Sequence, residues 1–469
     1  MVILLVAGFM NLIDVTIVNV ALPSMQKALA ATTSQIEWVV AVYILVFALG
    51  LLPAGRMGDI IGRQRMFNLG VGVFTLGSAA CGLAPSIETL LAARVLQAIG
   101  GAMMTPQTLA IVPALFAPHE RGLPFALFGL SAGLASVSGP LLGGILIEQD
   151  IWGLGWRPIF LVNLPVGIAA IALALRYLPK MPGNPRLKND FIGIALAGLA
   201  LLMVVFPLIE GRQAGWPLWY FAIMVGALPI AGLFVTWQFR QEARGRAQVL
   251  PGTLMRNGTY LLGAMLAAVM FSGIPGFFLV LAQYLQLGYG LDALHSGLTT
   301  VPFSVGVLVA SIISGSLGAR LPRQRITLGA LCLTVAMVWL GIVVQATSSE
   351  VVWLAFMGPL LLGGVGLGTT ISPLYQAVLG AVSAQDTGSA SGALQALQQV
   401  GGALGVAIVG EIFFSRLAGL NVADPHPAFA SAMTHALIYN TVCFAVIAAG
   451  VWCLPEPRAA ALGPSPAKA

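Results

Sequence analysis

Apolar residues occupy this chain in long blocks separated by short stretches of charge, proline and glycine. A block of about 20 apolar residues is the length a helix needs to cross the hydrocarbon core of a bilayer. Reading blocks against breaks places spans near 2–22, 37–54, 67–84, 89–115, 123–147, 159–178, 190–210, 217–237, 259–285, 296–317, 326–345, 351–379, 391–414 and 435–454. The pattern predicts an all-α polytopic membrane protein with 14 transmembrane helices.

Composition narrows the class further. The 469 residues are 58% hydrophobic and 8% charged, with a mean hydropathy of +0.94, against roughly 25% charged residues in soluble domains. A water-soluble globule of this length could not cover itself with so few charges. Disordered, collagen-like and disulfide-stapled chains are excluded by the apolar content, by 56 glycines and 28 prolines without a repeat, and by only four cysteines. Cys81, Cys332, Cys443 and Cys453 lie inside apolar runs without metal-ligand spacing, which reads as packing. The net charge of +6 comes from cations set between the runs and not along a soluble face, so nucleic acid is not expected as a partner.

Those cations indicate orientation. If the first span leaves the cytoplasm, one side collects Arg56, Arg63, Arg65, Arg121, Arg176, Lys180, Arg186, Lys188, Arg240, Arg244, Arg246, Arg256, Arg320, Arg323, Arg325, Arg458 and Lys468. The other side receives only Lys27, Arg157, Arg212 and Arg416. Both termini are therefore expected in the cytoplasm, because Lys and Arg near span ends resist translocation. The first span begins almost at Met1, which points to a short cytoplasmic lead missing ahead of it.

An internal repeat organises the spans. Gly55 to Arg65 recurs as Gly315 to Arg325, each copy closing one span and opening the next on the cytoplasmic side. Gly122, Gly139 and Gly144 likewise find Gly388, Gly405 and Gly410 at a nearly constant offset. The matches predict an N-terminal six-helix bundle over 1–178, a linker and inserted transmembrane hairpin (spans seven and eight) over 179–258, a C-terminal six-helix bundle over 259–454, and a cytoplasmic tail over 455–469. Parallel halves suit a rocking transporter with its substrate path between them. The hairpin has few polar residues, which favours a structural or lipid-facing role over a place in that path.

Candidate chemistry is concentrated in a few intramembrane polar residues. Asp14 lies eight residues before Leu22 in the first span, where a carboxylate costs about 2.5–3.5 kcal/mol on insertion scales and needs a partner or a proton. It is a candidate for proton or cation coupling, the alternative being a permanently paired structural acid. Arg94 in the fourth span shares its depth, so the two could couple motion to protonation or form a fixed bridge. Glu411, near the end of the thirteenth span, ranks second as a coupling acid, with a solvated boundary acid as its rival reading. Gly55, Gly58, Asp59, Gly62, Arg63 and Arg65 form a tight loop whose carboxylate is available to cap the following helix or hold a cation, a conformational latch. Its second copy has Ala319 where the first has Asp59, so the halves should not latch equivalently. Gly133, Gly139, Pro140, Gly143 and Gly144 in the fifth span predict close helix contact and a bend. Asn11, Asn19, Gln97, Gln107, Gln283, Gln395 and Gln399 are neutral polar groups suited to bridging helices or lining a wet substrate cavity. No metal cluster, nucleophile elbow or Walker loop is present in the sequence, which argues against an enzyme or an ATP-driven pump.

Taken in order, Asp14-Val-Thr-Ile-Val-Asn-Val-Ala-Leu-Pro23, the Gly55 to Arg65 loop, Arg94-x-x-Gln97-x-x-Gly100, Gly139-Pro140-x-x-Gly143-Gly144 and Trp156-Arg157-x-Ile159-Phe160-x-x-Asn163-x-Pro165 make the chain resemble the major facilitator superfamily. Within it, the chain is similar to the fourteen-span drug:proton antiporters of the EmrB/QacA type, over nearly its whole length. Pro158 departs from the pattern, standing where an aromatic residue usually follows Trp-Arg. The resemblance implies proton-coupled efflux of hydrophobic, often cationic, compounds from the bacterial cytoplasmic membrane, with no cofactor and with protons as coupling ion. It also implies Asp14 and Arg94 near coupling, Asp59 in the cytoplasmic gate, and the fifth-span Gly-Pro element of antiporters. The alternative is a major facilitator transporter of one small metabolite or antibiotic. A periplasmic adaptor and outer-membrane channel are partners such an exporter can use, although no residue identifies one.

Overall fold

Lipid offers the backbone no hydrogen-bond partners, so a chain that spans it must satisfy its N–H and C=O groups within each segment. The computed structural model, which describes residues 1–117, 120–184, 186–211, 214–291, 293–317, 321–347, 353–418 and 425–454, is accordingly built from helices. Ala319 and Arg320 of the second loop copy, Arg212, and the tail from 455 lie outside the described residues.

The first part of the chain forms α1 (Val2–Ala28), α2 (Thr33–Ile61), α3 (Arg63–Gly82), α4 (Ile87–Leu115), α5 (Gly122–Glu148), α6 (Pro158–Leu161) and α7 (Asn163–Tyr177). A hairpin follows from α8 (Phe191–Glu210) and α9 (Leu218–Ala243), then the short α10 (Gly252–Met255). The last part comprises α11 (Gly258–Gly273), α12 (Pro275–Gln283), α13 (Ala293–Thr299), α14 (Val301–Ser316), α15 (Pro322–Ala346), α16 (Trp353–Gly380), α17 (Thr387–Ala418) and α18 (Pro425–Gly450).

Among the described residues, 12 helical runs are long and apolar enough to cross a membrane, two short of the sequence expectation. Helices nevertheless cover the third and fifth expected spans: α3 has 20 residues and α5 has 27. Arg63, Gln64, Arg65, Asn68 and its small residues make α3 less apolar than its neighbours, which removes it from the set. The sixth expected span is divided at Val162 into α6 and α7, with Pro158 at the first turn of α6, where a missing N–H costs nothing. The ninth is broken at Ile274, between Gly273 and Pro275, and Asn440 of α18 donates to the Gly273 carbonyl exposed there.

Helix starts are written locally. Thr32 and Gln35 form a reciprocal capping box at α2, Ser86 and Thr89 do so at α4, and Asn257 caps α11 through the Tyr260 N–H. Helices α1 to α7 pack on one another, as do α11 to α18, and the two groups meet chiefly where α2 lies against α17 and α5 against α14 and α16. The hairpin packs along α2 and α17. Its base is fastened by buried Asp190, which caps α8 through Gly193 N–H (2.9 Å) and accepts from Trp237 Nε1 (3.1 Å) and Gln238 Nε2 (2.9 Å). The rest of α9 is largely uncovered, with Leu218, Val225 and Leu228 exposed.

Candidate functional site

Small residues bring α3 onto α4. A Cβ at Gly77 would fall 2.6 Å from Gln97 Cα, and one at Gly100 would fall 2.1 Å from Phe74 N, so glycine alone allows this approach. The contact sets Ser78 of α3 beside Gln97 of α4, and α1 adds Asp14. Asp14 is 0% exposed and Arg94 is 1% exposed. Arg94 Nη1 donates to Asp14 Oδ2 at 2.6 Å, while Gln97 Nε2 and Asn163 Nδ2 donate to Asp14 Oδ1 at 2.7 and 3.4 Å. The guanidinium is further held by Gln97 Oε1 (2.7 Å), by the Val39 carbonyl (3.0 Å) and by the Tyr43 ring, whose centroid lies 4.2 Å away. Gln97 also donates to Ser78 Oγ (2.8 Å). Each charge thus has both a counter-charge and neutral partners, the condition under which an ion pair survives burial.

The Gly55 to Arg65 segment makes a second cluster. Asp59 Oδ1 accepts from Gly388 N–H (3.0 Å), and Oδ2 accepts from Ser389 N–H (2.9 Å) and Ser389 Oγ (3.1 Å), at the first turn of α17. The expectation that this carboxylate caps the following helix is corrected: α3 begins without a side-chain cap, and Asp59 caps α17 from across the molecule. Free N–H groups and the dipole make a helix start attractive to a carboxylate, which accounts for the choice. Arg63 joins the same junction, donating to Asp59 Oδ1 (3.2 Å), the Ala384 carbonyl (2.6 Å) and the Ala110 carbonyl (3.2 Å). Gly55 is required by contact, since a Cβ there would lie 2.3 Å from the Gly388 carbonyl oxygen. Gly58 leaves room for Gln107, and Gly62 turns the chain at φ +101°. Arg65 is exposed.

The remaining predicted residues divide. Asn11, Gln97 and Gln107 are 4%, 0% and 0% exposed, so they bridge helices instead of lining a wet cavity. Asn11 accepts from the Tyr43 hydroxyl and donates to Thr105 Oγ1 (3.5 Å), and Gln107 donates to the Ala54 carbonyl (3.0 Å). Buried Gln395 of α17 donates to the Thr105 carbonyl (3.3 Å). Asn19 is exposed and donates to the Val15 carbonyl of its own helix (3.0 Å), while Gln283 and Gln399 are half-buried. Glu411 is not brought to Asp14: it is exposed and accepts from Trp216 Nε1 of the hairpin (2.9 Å). In α5, Gly139 and Gly143 lie against Thr16 and Ile17 of α1, whereas Gly144 has open space around it. Gly405 of α17 lies in the same way against the Ser272 carbonyl of α11, so Gly139 and Gly405 of the repeat make comparable contacts with the first helix of their own group. The surroundings of Gly133 and Pro140 lie outside the described set. Tyr43, Ser78, Thr105, Asn163 and Ser389 escaped the sequence reading as site residues. Asn163 alone carried a signal, through its place in the Trp156 to Pro165 motif.

Twelve candidate spans among the described residues, a buried ion pair inside one group of helices and an Asp59 cap from α2 onto α17 between two groups are the frame of a polytopic membrane protein. The chain belongs to the Major Facilitator Superfamily, whose model it matches over residues 4–406. It is 38% identical over 416 residues to the "Probable actinorhodin transporter" of Streptomyces coelicolor, covering 88% of this chain and 72% of that protein. It is 33% identical over 419 residues to the "Multidrug resistance protein Stp" of Mycobacterium tuberculosis, covering 89% of this chain and 76% of that protein. Among solved structures, the proton:xylose symporter XylE is similar in fold at a TM-score of 0.65, covering 97% of this chain and 95% of that one at 13% identity.

Proposed function

We propose that this protein is a proton-coupled efflux antiporter that exports hydrophobic or cationic compounds by alternating access, with protons as the coupling ion. The buried Asp14–Arg94 pair carries this reading. A carboxylate shielded from water is ionised while the guanidinium holds it and able to take a proton when the guanidinium turns to other acceptors. Arg94 already has two, the Val39 carbonyl and Gln97 Oε1.

In this reading α3 and α5 complete 14 spans of the EmrB/QacA arrangement, with both termini in the cytoplasm of a bacterial inner membrane. Residues 1–178 and 259–454 rock against each other, the α8–α9 hairpin flanks them, and Asp59 latches the cytoplasmic side. A narrower reading, export of one antibiotic or metabolite, is favoured by the relative named for actinorhodin.

Everted vesicles from a host lacking its own drug pumps test the proposal. Added drug should collapse an imposed pH gradient, and Asp14→Asn should bind drug but fail to collapse it. Drug accumulation indifferent to a protonophore would reject coupling. A resistance profile across unrelated compounds separates broad export from a single cargo.

A further inference from the structure

The interior of the first helical group contains a continuous line of contacts from the ion pair to the opposite group. The Arg94 guanidinium lies over the Tyr43 ring at 4.2 Å. The Tyr43 hydroxyl donates to Asn11 Oδ1, and Asn11 Nδ2 donates to Thr105 Oγ1 at 3.5 Å. The Thr105 carbonyl accepts Gln395 Nε2 of α17 at 3.3 Å, and one residue on, the Pro106 carbonyl accepts Ser391 Oγ at 2.9 Å. Room for the middle of this line is reserved in α4: a Cβ at Gly101 would lie 2.9 Å from both Asn11 Oδ1 and the Tyr43 hydroxyl. Tyr43 and Asn11 are 1% and 4% exposed, so neither is available to cargo.

The geometry points to Tyr43, Asn11 and Thr105 as positioning residues that act in series, carrying the state of the Asp14–Arg94 pair to the junction with α17. The inference rests on the proton-coupled reading above. Around Asp14 the described titratable or charged groups are Arg94 of α4, Tyr43 of α2 and Cys81 of α3; α7 contributes the neutral Asn163. A proton arriving on Asp14 removes the counter-charge that fixes Arg94, and the guanidinium resettles on its neutral acceptors. The ring beneath it moves with it, because stacking ties the two. Asn11 then changes its hold on Thr105, and the carbonyl on which Gln395 docks shifts. No covalent step is involved beyond protonation of the carboxylate from water.

The test reads the junction directly. Ser391 is 0% exposed, so in the full chain, with the native cysteines replaced, Ser391→Cys reports opening by its rate of maleimide labelling at pH 5.5 and pH 8, each divided by the rate of the same protein unfolded at that pH because the thiolate is the reacting form. Labelling should depend on pH, and Asp14→Asn should remove the dependence. Tyr43→Phe, which keeps the ring, and Asn11→Ala should each flatten the pH ratio while leaving the melting temperature close to that of the parent. The double variant should be no flatter than either single one, since elements in series are not additive. Full pH dependence in both single variants overturns the series and leaves the coupling reading intact. Additive losses overturn it as well. Labelling of the parent that ignores pH, with Asp14→Asn equally flat, overturns the coupling reading and this inference together.

Discussion

At Asp14 and Arg94 two opposite charges occupy a space closed to water, and their stability depends on each other more than on the pair's net worth. Removing one partner of such a pair strands the other, at about 3–5 kcal/mol, whereas removing both together is often close to neutral. Arg94→Ala is therefore expected to lower stability by about that amount, and Asp14→Asn/Arg94→Gln to recover most of it, as read by thermal unfolding followed through tryptophan fluorescence. Equal losses in the two variants would show that packing, not charge, is at stake. Glu411 behaves differently because it is exposed and bonded only through the Trp216 indole among the contacts described. Glu411→Gln should keep proton-dependent export and cost no more than about 1 kcal/mol; loss of the pH dependence in vesicles would return Glu411 to the coupling machinery. The sequence made Asp14, Arg94 and Gln97 readable because a charge or amide within an apolar run stands out. Tyr43, Ser78 and Thr105 did not stand out, since each is ordinary in a span and gains its role only from what the fold sets beside it.

At the scale of helices, the junction of α2 with α17 is a contact of backbones. Gly55 lies on the Gly388 carbonyl, a Cβ at Gly392 would fall 2.5 Å from the Leu51 carbonyl oxygen, and Asp59 closes the end by capping α17. Carbonyl oxygens cannot yield to a new side chain as a flexible rotamer can, so a larger residue must part the helices. Gly55→Val should thus expose Ser391→Cys to maleimide at least about tenfold faster than the parent, a shift of about 1.4 kcal/mol in the closed state; unchanged protection would mean that the helices adjust without separating. Asp59→Asn should act in the same direction more weakly, as a neutral amide loses the attraction of the helix start, typically worth about 0.3–1 kcal/mol. Sequence exposed the glycine spacing and the acid of this segment but not their target, nor that all of it except Gly62 is helical. Asp59 and Ser389 are far apart in the chain, and no local rule marks which helix start a carboxylate will cap.

Across the whole molecule, the described side-chain hydrogen bonds between the first helical group and the last share one end: they involve Asp59, Arg63, Thr105 and Pro106 with the start of α17. The Phe125–Tyr375 ring pair, with centroids 5.9 Å apart, joins α5 and α16 near the same junction. The all-helical, membrane-spanning class was legible from the apolar blocks because a bilayer imposes length on every span, while the count was not, 12 candidate spans standing among the described residues against the 14 expected. The closed junction was not, since alternating conformers share one sequence and differ only in which contacts they make. A rocking transporter must break these contacts once per cycle, which makes the seam a place to stop it. In a background without the four native cysteines, Phe125→Cys/Tyr375→Cys joined by a short bis-methanethiosulfonate, each arm of which forms a reducible disulfide and releases methanesulfinate, should fall to background transport and recover on reduction. Each single cysteine variant, treated identically, should be unaffected. Because the comparison is made within one variant before and after reduction, loss of the ring contact cannot mimic the result. Transport that continues with the link intact would mean that α5 and α16 move as one body, and that the cycle opens elsewhere.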